Sequence, residues 1–444
     1  MLLSEAEARK IAMSVLSLSK AEACVVTVSG SDRAHMRFAL NSATTNGRQN
    51  DVVVTVESHS SKRTGSVTVN ETDGESLTAA VRKSEEIARL APVDPEYQPP
   101  LGPQKYLSSR IYFESTAKAD AEKLAGLCAP VLKEAEGKKV TSAGFLHVAR
   151  RSAQVANSNG LSVYERSTEA GFKVSARSPD GTGSGWGGNL QHDISRLDTT
   201  HLGKVAVRKT LESRKPTALD PGKYTVILEP SAVCDLLGMM IGSFDARQAD
   251  EGRSFLTKKG GGNKLGEKLF SSKVTIYSDP HHDIAPGSVY STDALPAVRR
   301  NWIENGVVKE LIYSRYWAQK AGHQPVPFPT NLIMTGGTTS IEDMIRETKR
   351  GVLVTRLWYI REVDPRTLLL TGLTRDGTFL IENGKLTRPL KNFRFNESPS
   401  AMLNNVEVIG PAVRTIGSEV EDLSVCVPPL LIRDFTFSSL SDAV

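Results

Sequence analysis

Polar and apolar side chains alternate, with interruptions, through RAHMRFAL, DVVVTVES and TGSVTV, and the apolar run ACVVTVS precedes them. A period of two turns successive side chains to opposite faces of a sheet. These stretches therefore predict strands, with NSATTNG as a turn cluster between them. Helical patterns flank the strands. Ser4 and Glu7 have the spacing of a capping box at the start of a first helix. ESLTAAVRKSEEIARLA places Leu77, Val81, Ile87 and Leu90 on or near one stripe. The next stretch, APVDPEYQPPLGPQ, contains Pro92, Pro95, Pro99, Pro100 and Pro103 and predicts an extended, exposed connector.

The order then repeats. A helix is predicted from about Ala119 to Glu136, followed by strands in VTSAGFLHVA, SAQVANS, SVYERSTEA and FKVSARS. GTGSGWGGN reads as a flexible loop, and a helix around Arg196–Arg214 follows it. Two helix-plus-meander units in a row predict a layered α+β domain over residues 1–218, with the boundary near KPTALDPG. Residues 219–444 read as a β-rich domain. WIENGVVKELIYS and FLIENGKLTRPL each set an Asn-Gly pair between apolar runs, which predicts type I′ hairpins because both central residues need positive φ. A short helix is expected from Ser340. Another covers LEPSAVCDLLGMMIGS, residues 228–243, where Val233, Leu236, Leu237, Met240 and Ile241 share one face and Pro230 and Ser231 supply a start.

Composition narrows the function classes only modestly. The 444 residues are 39% apolar and 24% charged, as in an ordinary globular protein of two domains. A net charge of +5 over this length does not argue for nucleic acid. Cys24, Cys128, Cys234 and Cys426 are far apart and form no CxxC pair, which fits a reducing cytoplasm. MLLSEAEARKIAMSVLSLSK is acidic early and does not read as a signal peptide. No uninterrupted apolar run approaches the ~18 residues of a membrane span.

Local chemistry is sparse. No HExxH or HExxxH occurs, and no GxSxG elbow. His281 and His282 sit between Asp279 and Asp283. On an extended chain the two rings point opposite ways, so a solvated loop is expected rather than a metal site. GSGWGG, 183–188, matches GxGxxG by letter but lacks a surrounding βαβ unit. GGGNKLGEK lacks the GK[ST] of a phosphate loop and reads as a mobile surface turn. RETKR, 346–350, reads as a charged helix end; Arg247 and Arg253 fit a cleft or a plain loop equally.

Several motifs in order carry a resemblance over most of the chain: MRFALNSATTNG, RTGSVTVNETDGESL, WIENGVVKEL, WYIREVDPRTLLLTGLTRDGTFLIENGKLTRPLKN and VPPLLIRDFTFSS. Together they resemble the TldD/PmbA family. The resemblance implies an α+β domain followed by a β-rich domain, dimers, and a link to proteolysis of peptides and poorly folded small proteins. In the catalytic TldD type, an HExxxH helix and a late cysteine are implied as zinc ligands, with a glutamate beside them; the TldE/PmbA type lacks that set and acts as its partner. The 228–243 helix occupies the place of the zinc helix. Asp235, Leu236 and Met240 fall where the motif needs histidine, glutamate and histidine, and Ile416 falls where the cysteine would be. No histidine lies between His201 and His281, so a shift of register does not restore the motif.

The resemblance thus implies a TldE/PmbA-like subunit without catalytic residues or a metal of its own. Zinc is expected in a TldD-like catalytic partner, with a peptide as substrate and a homodimer an open option for the isolated chain. No membrane and no direct nucleic-acid contact are expected. Two alternatives stay open. One is a stand-alone metallopeptidase using a site such as Asp279, His281 and His282; the other is a regulator of the gyrase-modulator type that does not act through proteolysis.

Overall fold

A computed structural model describes residues 2–441. The chain begins with α1 (Glu5–Leu18), where Ser4 Oγ accepts the Glu7 N–H and the Glu7 carboxylate accepts the Ser4 N–H, the expected capping box. Three strands follow: β1 (Ala23–Ala39), β2 (Ser42–Ser60) and β3 (Arg63–Val69). Next come α2 (Gly74–Leu90), a single turn α3 (Glu114–Ala117) and α4 (Ala121–Gly137). The second meander is β4 (Thr141–Asn157), β5 (Ser162–Arg177) and β6 (Ser184–Gln191), closed by α5 (Thr199–Glu212). The six strands form one antiparallel sheet in the order β3-β2-β1-β4-β5-β6.

The helices cover one face of this sheet. Val26, Val28, Met36 and Phe38 of β1 all carry even numbers and therefore point the same way. Val26 and Val28 pack with α1 and α2, whereas Met36 and Phe38 pack with α4 and α5.

The strands are longer than the sequence pattern suggests. ACVVTVS and RAHMRFAL are one strand, because Gly30–Asp32 remain in register with both β2 and β4. The polar centre that interrupts the alternation is a clamp: buried Asp32 accepts from Arg48 Nε at 2.7 Å and from Arg150 Nε at 2.8 Å. NSATTNG is not a turn throughout; Leu40 and Asn41 make the turn with positive φ, and the strand resumes at Ser42.

GTGSGWGGN is likewise not a loop. Residues 184–191 form the buried edge strand β6. A Cβ at Gly183, Gly185 or Gly187 would lie 2.1–2.4 Å from backbone oxygens of α5. Glycine lets helix and strand backbones touch there, and the same absence of side chains hides the strand from a pattern search.

Residues 222–441 build two further sheets. The first strands are β7 (Gly222–Leu228), β8 (Ile276–Ser278), β9 (Arg300–Glu304), β10 (Val307–Val308) and β11 (Asn331–Met334). Then come β12 (Arg350–Asp364), β13 (Leu369–Glu382), β14 (Lys385–Pro389) and β15 (Asn392–Glu397). The last are β16 (Val406–Ile409), β17 (Val413–Thr415), β18 (Ser424–Val427) and β19 (Leu430–Ser441). One sheet runs β10-β9-β8-β11-β18-β17. The other runs β12-β7-β19-β15-β13-β14, and β12 also pairs with β13, so five of its strands close into a ring. Helix α6 (Pro230–Gly242) leaves β7 into the large core of this half. The architecture is α+β in two domains, the second β-rich.

The proline segment is held rather than exposed throughout. Glu96 takes a bidentate pair from Arg247 at 2.8 and 2.9 Å, and Asn159 and Asn157 donate to the carbonyls of Pro100 and Leu101. Arg247 is therefore a strut, and Arg253 only pairs with the nearby Glu251.

Candidate functional site

The α6 helix starts at Pro230, and its N-cap is Glu229, whose side chain makes no capping bond. Glu229 instead binds Lys209 of α5: Lys209 Nζ lies 2.5 Å from Glu229 Oε2 and donates to Thr355 Oγ1 at 3.0 Å. Lys209 is buried. Desolvation lowers its pKa, with Glu229 opposing the shift.

The structure brings Asp235 to the segment just after Ile416. Asp235 is fully buried, yet its carboxylate is surrounded by donors. Oδ2 accepts from Ser418 N at 2.9 Å and Ser418 Oγ at 3.1 Å; Oδ1 accepts from Glu419 N at 2.8 Å and Val420 N at 3.1 Å. Burial pushes its pKa up to about 6, and these bonds limit the rise. A Cβ on Gly417 would lie 1.9 Å from Asp235 Oδ1, and one on Gly238 would lie 2.3 Å from Val420 Cγ2. The helix and the 416–420 segment are thus fitted closely to each other.

The other three positions point elsewhere. Leu236 and Met240 lie in the main core beside residues such as Leu228 and Trp302. Ile416 packs against Trp186 and Leu190 of the first sheet. Cys426 is on β18, buried, with its thiol pushed up to about 11 by burial. Among the described residues, no three His, Cys, Asp or Glu side chains are grouped to hold a metal ion.

His281 and His282 are not on extended chain. Asp279 Oδ1 accepts the His281 N–H and the Asp279 carbonyl accepts the His282 N–H, forming a tight turn. That turn sets both rings on one cavity, together with His192, Arg196 and Arg414, which the sequence reading did not single out. A signal for Arg414 existed: a lone cation in the apolar run IGPAVRTIG. Nothing local marked His192.

Comparison with known proteins matches residues 111–214 to the PmbA/TldA metallopeptidase central domain and residues 221–439 to its C-terminal domain. The chain belongs to the PmbA/TldD family. A metalloprotease of Methanothermobacter thermautotrophicus is 25% identical over 305 residues, 63% of this chain and 64% of that protein. A metalloprotease TldD homologue of Buchnera aphidicola is 25% identical over 54% of this chain and 52% of its own length. The chain thus spans less than two thirds of these relatives. The fold of this PmbA/TldD member is that of TldE from Thermococcus kodakarensis, with a TM-score of 0.86 at 19% identity over 97% of this chain and 99% of that one. A Bacteroides thetaiotaomicron protein described as a candidate modulator of DNA gyrase superposes with a TM-score of 0.87 at 20% identity, over 99% and 100% of the two chains.

Proposed function

We propose that this chain is a TldE/PmbA-like, non-catalytic subunit of a zinc metalloprotease complex, with the metal carried by a TldD-like partner and peptides or poorly folded small proteins as substrate. The reading rests on Asp235. A zinc centre that activates water needs three protein ligands and an open position. At the place of the zinc helix this chain offers one carboxylate, and both of its oxygens are already taken by the 418–420 backbone. Leu236, Met240 and Ile416 bring no strong donor, and Met240 only a buried thioether. These residues do not suit zinc, so no catalytic step is assigned to them. They suit a structural post that keeps the old site region rigid.

The same reading places the domain division between residues 218 and 219, in the stretch between α5 and β7, and the protein in the cytoplasm. Among the described residues no helix is long and apolar enough to cross a membrane.

The test mixes the pure chain with an HExxxH-bearing family member. A heterodimer by light scattering, with peptide cleavage that a chelator abolishes, is the expected result. Stoichiometric zinc in the pure single chain, together with chelator-sensitive cleavage by it alone, would overturn the proposal.

A further inference from the structure

A cavity of about 120 Å³ opens where the two halves of the chain meet. The first half contributes Arg110, His192, Asp193 and Arg196; the second contributes His281, His282, Asp283 and Arg414. Three arginines and two aspartates line it. Arg414 is 7% exposed. Its Nε donates to the Leu190 carbonyl at 2.6 Å and its Nη1 to the Ile284 carbonyl at 3.1 Å, while its Nη2 is buried with no partner. Arg196 bonds only the Asp283 carbonyl, at 3.2 Å. Among the described residues, none of the three has an ion pair with a carboxylate. The Asp193 carboxylate is turned to Ser115 Oγ and the Ser195 N–H.

Of the imidazoles, His282 adds a donor. His282 Nδ1 accepts the Ala285 N–H at 3.1 Å, so in the neutral ring the proton sits on Nε2, where a ligand oxygen could receive it. His192 is wedged between the carbonyls of Thr168 at 2.7 Å and Pro286 at 3.2 Å. Burial and the nearby Arg414 charge press its pKa down to about 4, so at neutral pH it is uncharged. Arg414 itself, lowered to about 10 by burial, keeps its charge.

An orphaned guanidinium N–H in a buried position costs free energy unless something accepts from it. With Nε and Nη1 held by carbonyls, Nη2 is the one donor this cavity-lining side chain has left to offer an oxyanion, and the guanidinium charge strengthens that bond. The space suits a carboxylate or phosphate group and is too small for a nucleotide.

We propose that this cavity is an anion subsite that takes one oxyanion group, with Arg414 as its fixed donor and Arg196 and His282 completing the shell. The group has two possible sources: the terminal carboxylate of a peptide or a free inorganic anion. The site uses neither the zinc helix nor a partner, so it stands or falls independently of the subunit assignment.

The experiment is calorimetric titration of the single chain at constant ionic strength with inorganic phosphate, trialanine and trialanine amide. Saturable one-site binding by phosphate or by trialanine is expected. If a peptide terminus is the natural source, the amide binds at least about tenfold more weakly than the acid, as loss of a charge-assisted hydrogen bond implies, and phosphate competes with the acid. If a free anion is the source, phosphate binds and neither peptide does. Arg196→Gln, on an exposed side chain, should weaken binding about tenfold with an unchanged melting temperature, and Arg414→Lys should weaken it further. Should Arg414→Lys fail to fold, His282→Gln takes its place. Absence of saturable binding by all three probes, or binding that Arg196→Gln and the second variant leave unchanged, overturns the proposal.

Discussion

The carboxylate of Asp235 and the backbone N–H of Ser418 lie 2.9 Å apart although 183 residues separate them in sequence. A helix that entered the core as an apolar stripe is therefore also an anchor for a distant irregular segment. Asp235→Asn keeps one acceptor oxygen but turns an NH2 toward the donors at Ser418. The expected cost is about 1–3 kcal/mol at pH 7, read from urea denaturation.

The same residue sets a pH dependence. Its folded pKa is about 6, above the ordinary 3.8. Between those values the unfolded chain has released the proton while the folded chain retains it. Stability from this group should therefore fall as pH rises from about 4 to 6 and level off above, by on the order of 3 kcal/mol. In Asp235→Asn that slope should vanish; a parallel decline in both proteins would mean other groups produce it.

Lys209 and Glu229 join the two halves through an ion pair whose lysine is buried and whose glutamate is partly exposed. Glu229→Gln should cost about 3–5 kcal/mol, because it strands a desolvated cation. Adding Lys209→Met should recover a large part of that loss. A double variant no more stable than the single one would show that the cation is not the source of the cost.

The Asn383-Gly384 turn has φ of 49° and 78°, as a type I′ hairpin requires. Gly384→Val meets a second obstacle, since its Cβ would sit 2.6 Å from the Arg346 carbonyl. A loss of about 1–3 kcal/mol, or more if the contact cannot relax, should appear in the denaturation midpoint.

Limited digestion with subtilisin should cut first within 258–262, where Gly260, Gly261 and Gly262 have positive φ and every residue is exposed. The proline segment 92–103 should be cut later, since Arg247, Asn157, Asn159 and Arg315 hold it. Mass spectrometry of the first fragments decides the order.

Features with local causes were legible in the sequence. The Ser4–Glu7 cap, the long helices, the short helix after Ser340 and both Asn-Gly turns follow from neighbours a few residues away, whereas short helices such as 315–321 and 399–404 did not stand out. The strand lengths were not, because the Asp32–Arg48–Arg150 clamp breaks the alternation while preserving the ladder. Strand β6 was hidden because its glycines serve a helix contact rather than a pattern. The resemblance only suggested a role for Asp235, Leu236, Met240 and Ile416; where their side chains go was not legible, since Asp235 and Ile416 each take partners from remote parts of the chain. The basic cavity drew its lining from four separate segments, 110–113, 191–196, 281–286 and Arg414, and had no local signature.

The strand order β3-β2-β1-β4-β5-β6 reads the same outward from its centre. Each side is a helix, three strands and a helix, and on each outer strand a glycine admits the closing helix: Gly65 beneath α2, Gly185 beneath α5. Aspartate caps that helix in both, Asp73 in one and Asp198 in the other. The first domain is thus built like a twofold dimer written into a single chain, its subunit interface the β1–β4 ladder. In the second unit the approach to the closing helix, Gln191–Arg196, also forms one wall of the basic cavity, so a repeated scaffold supports the site on one side only.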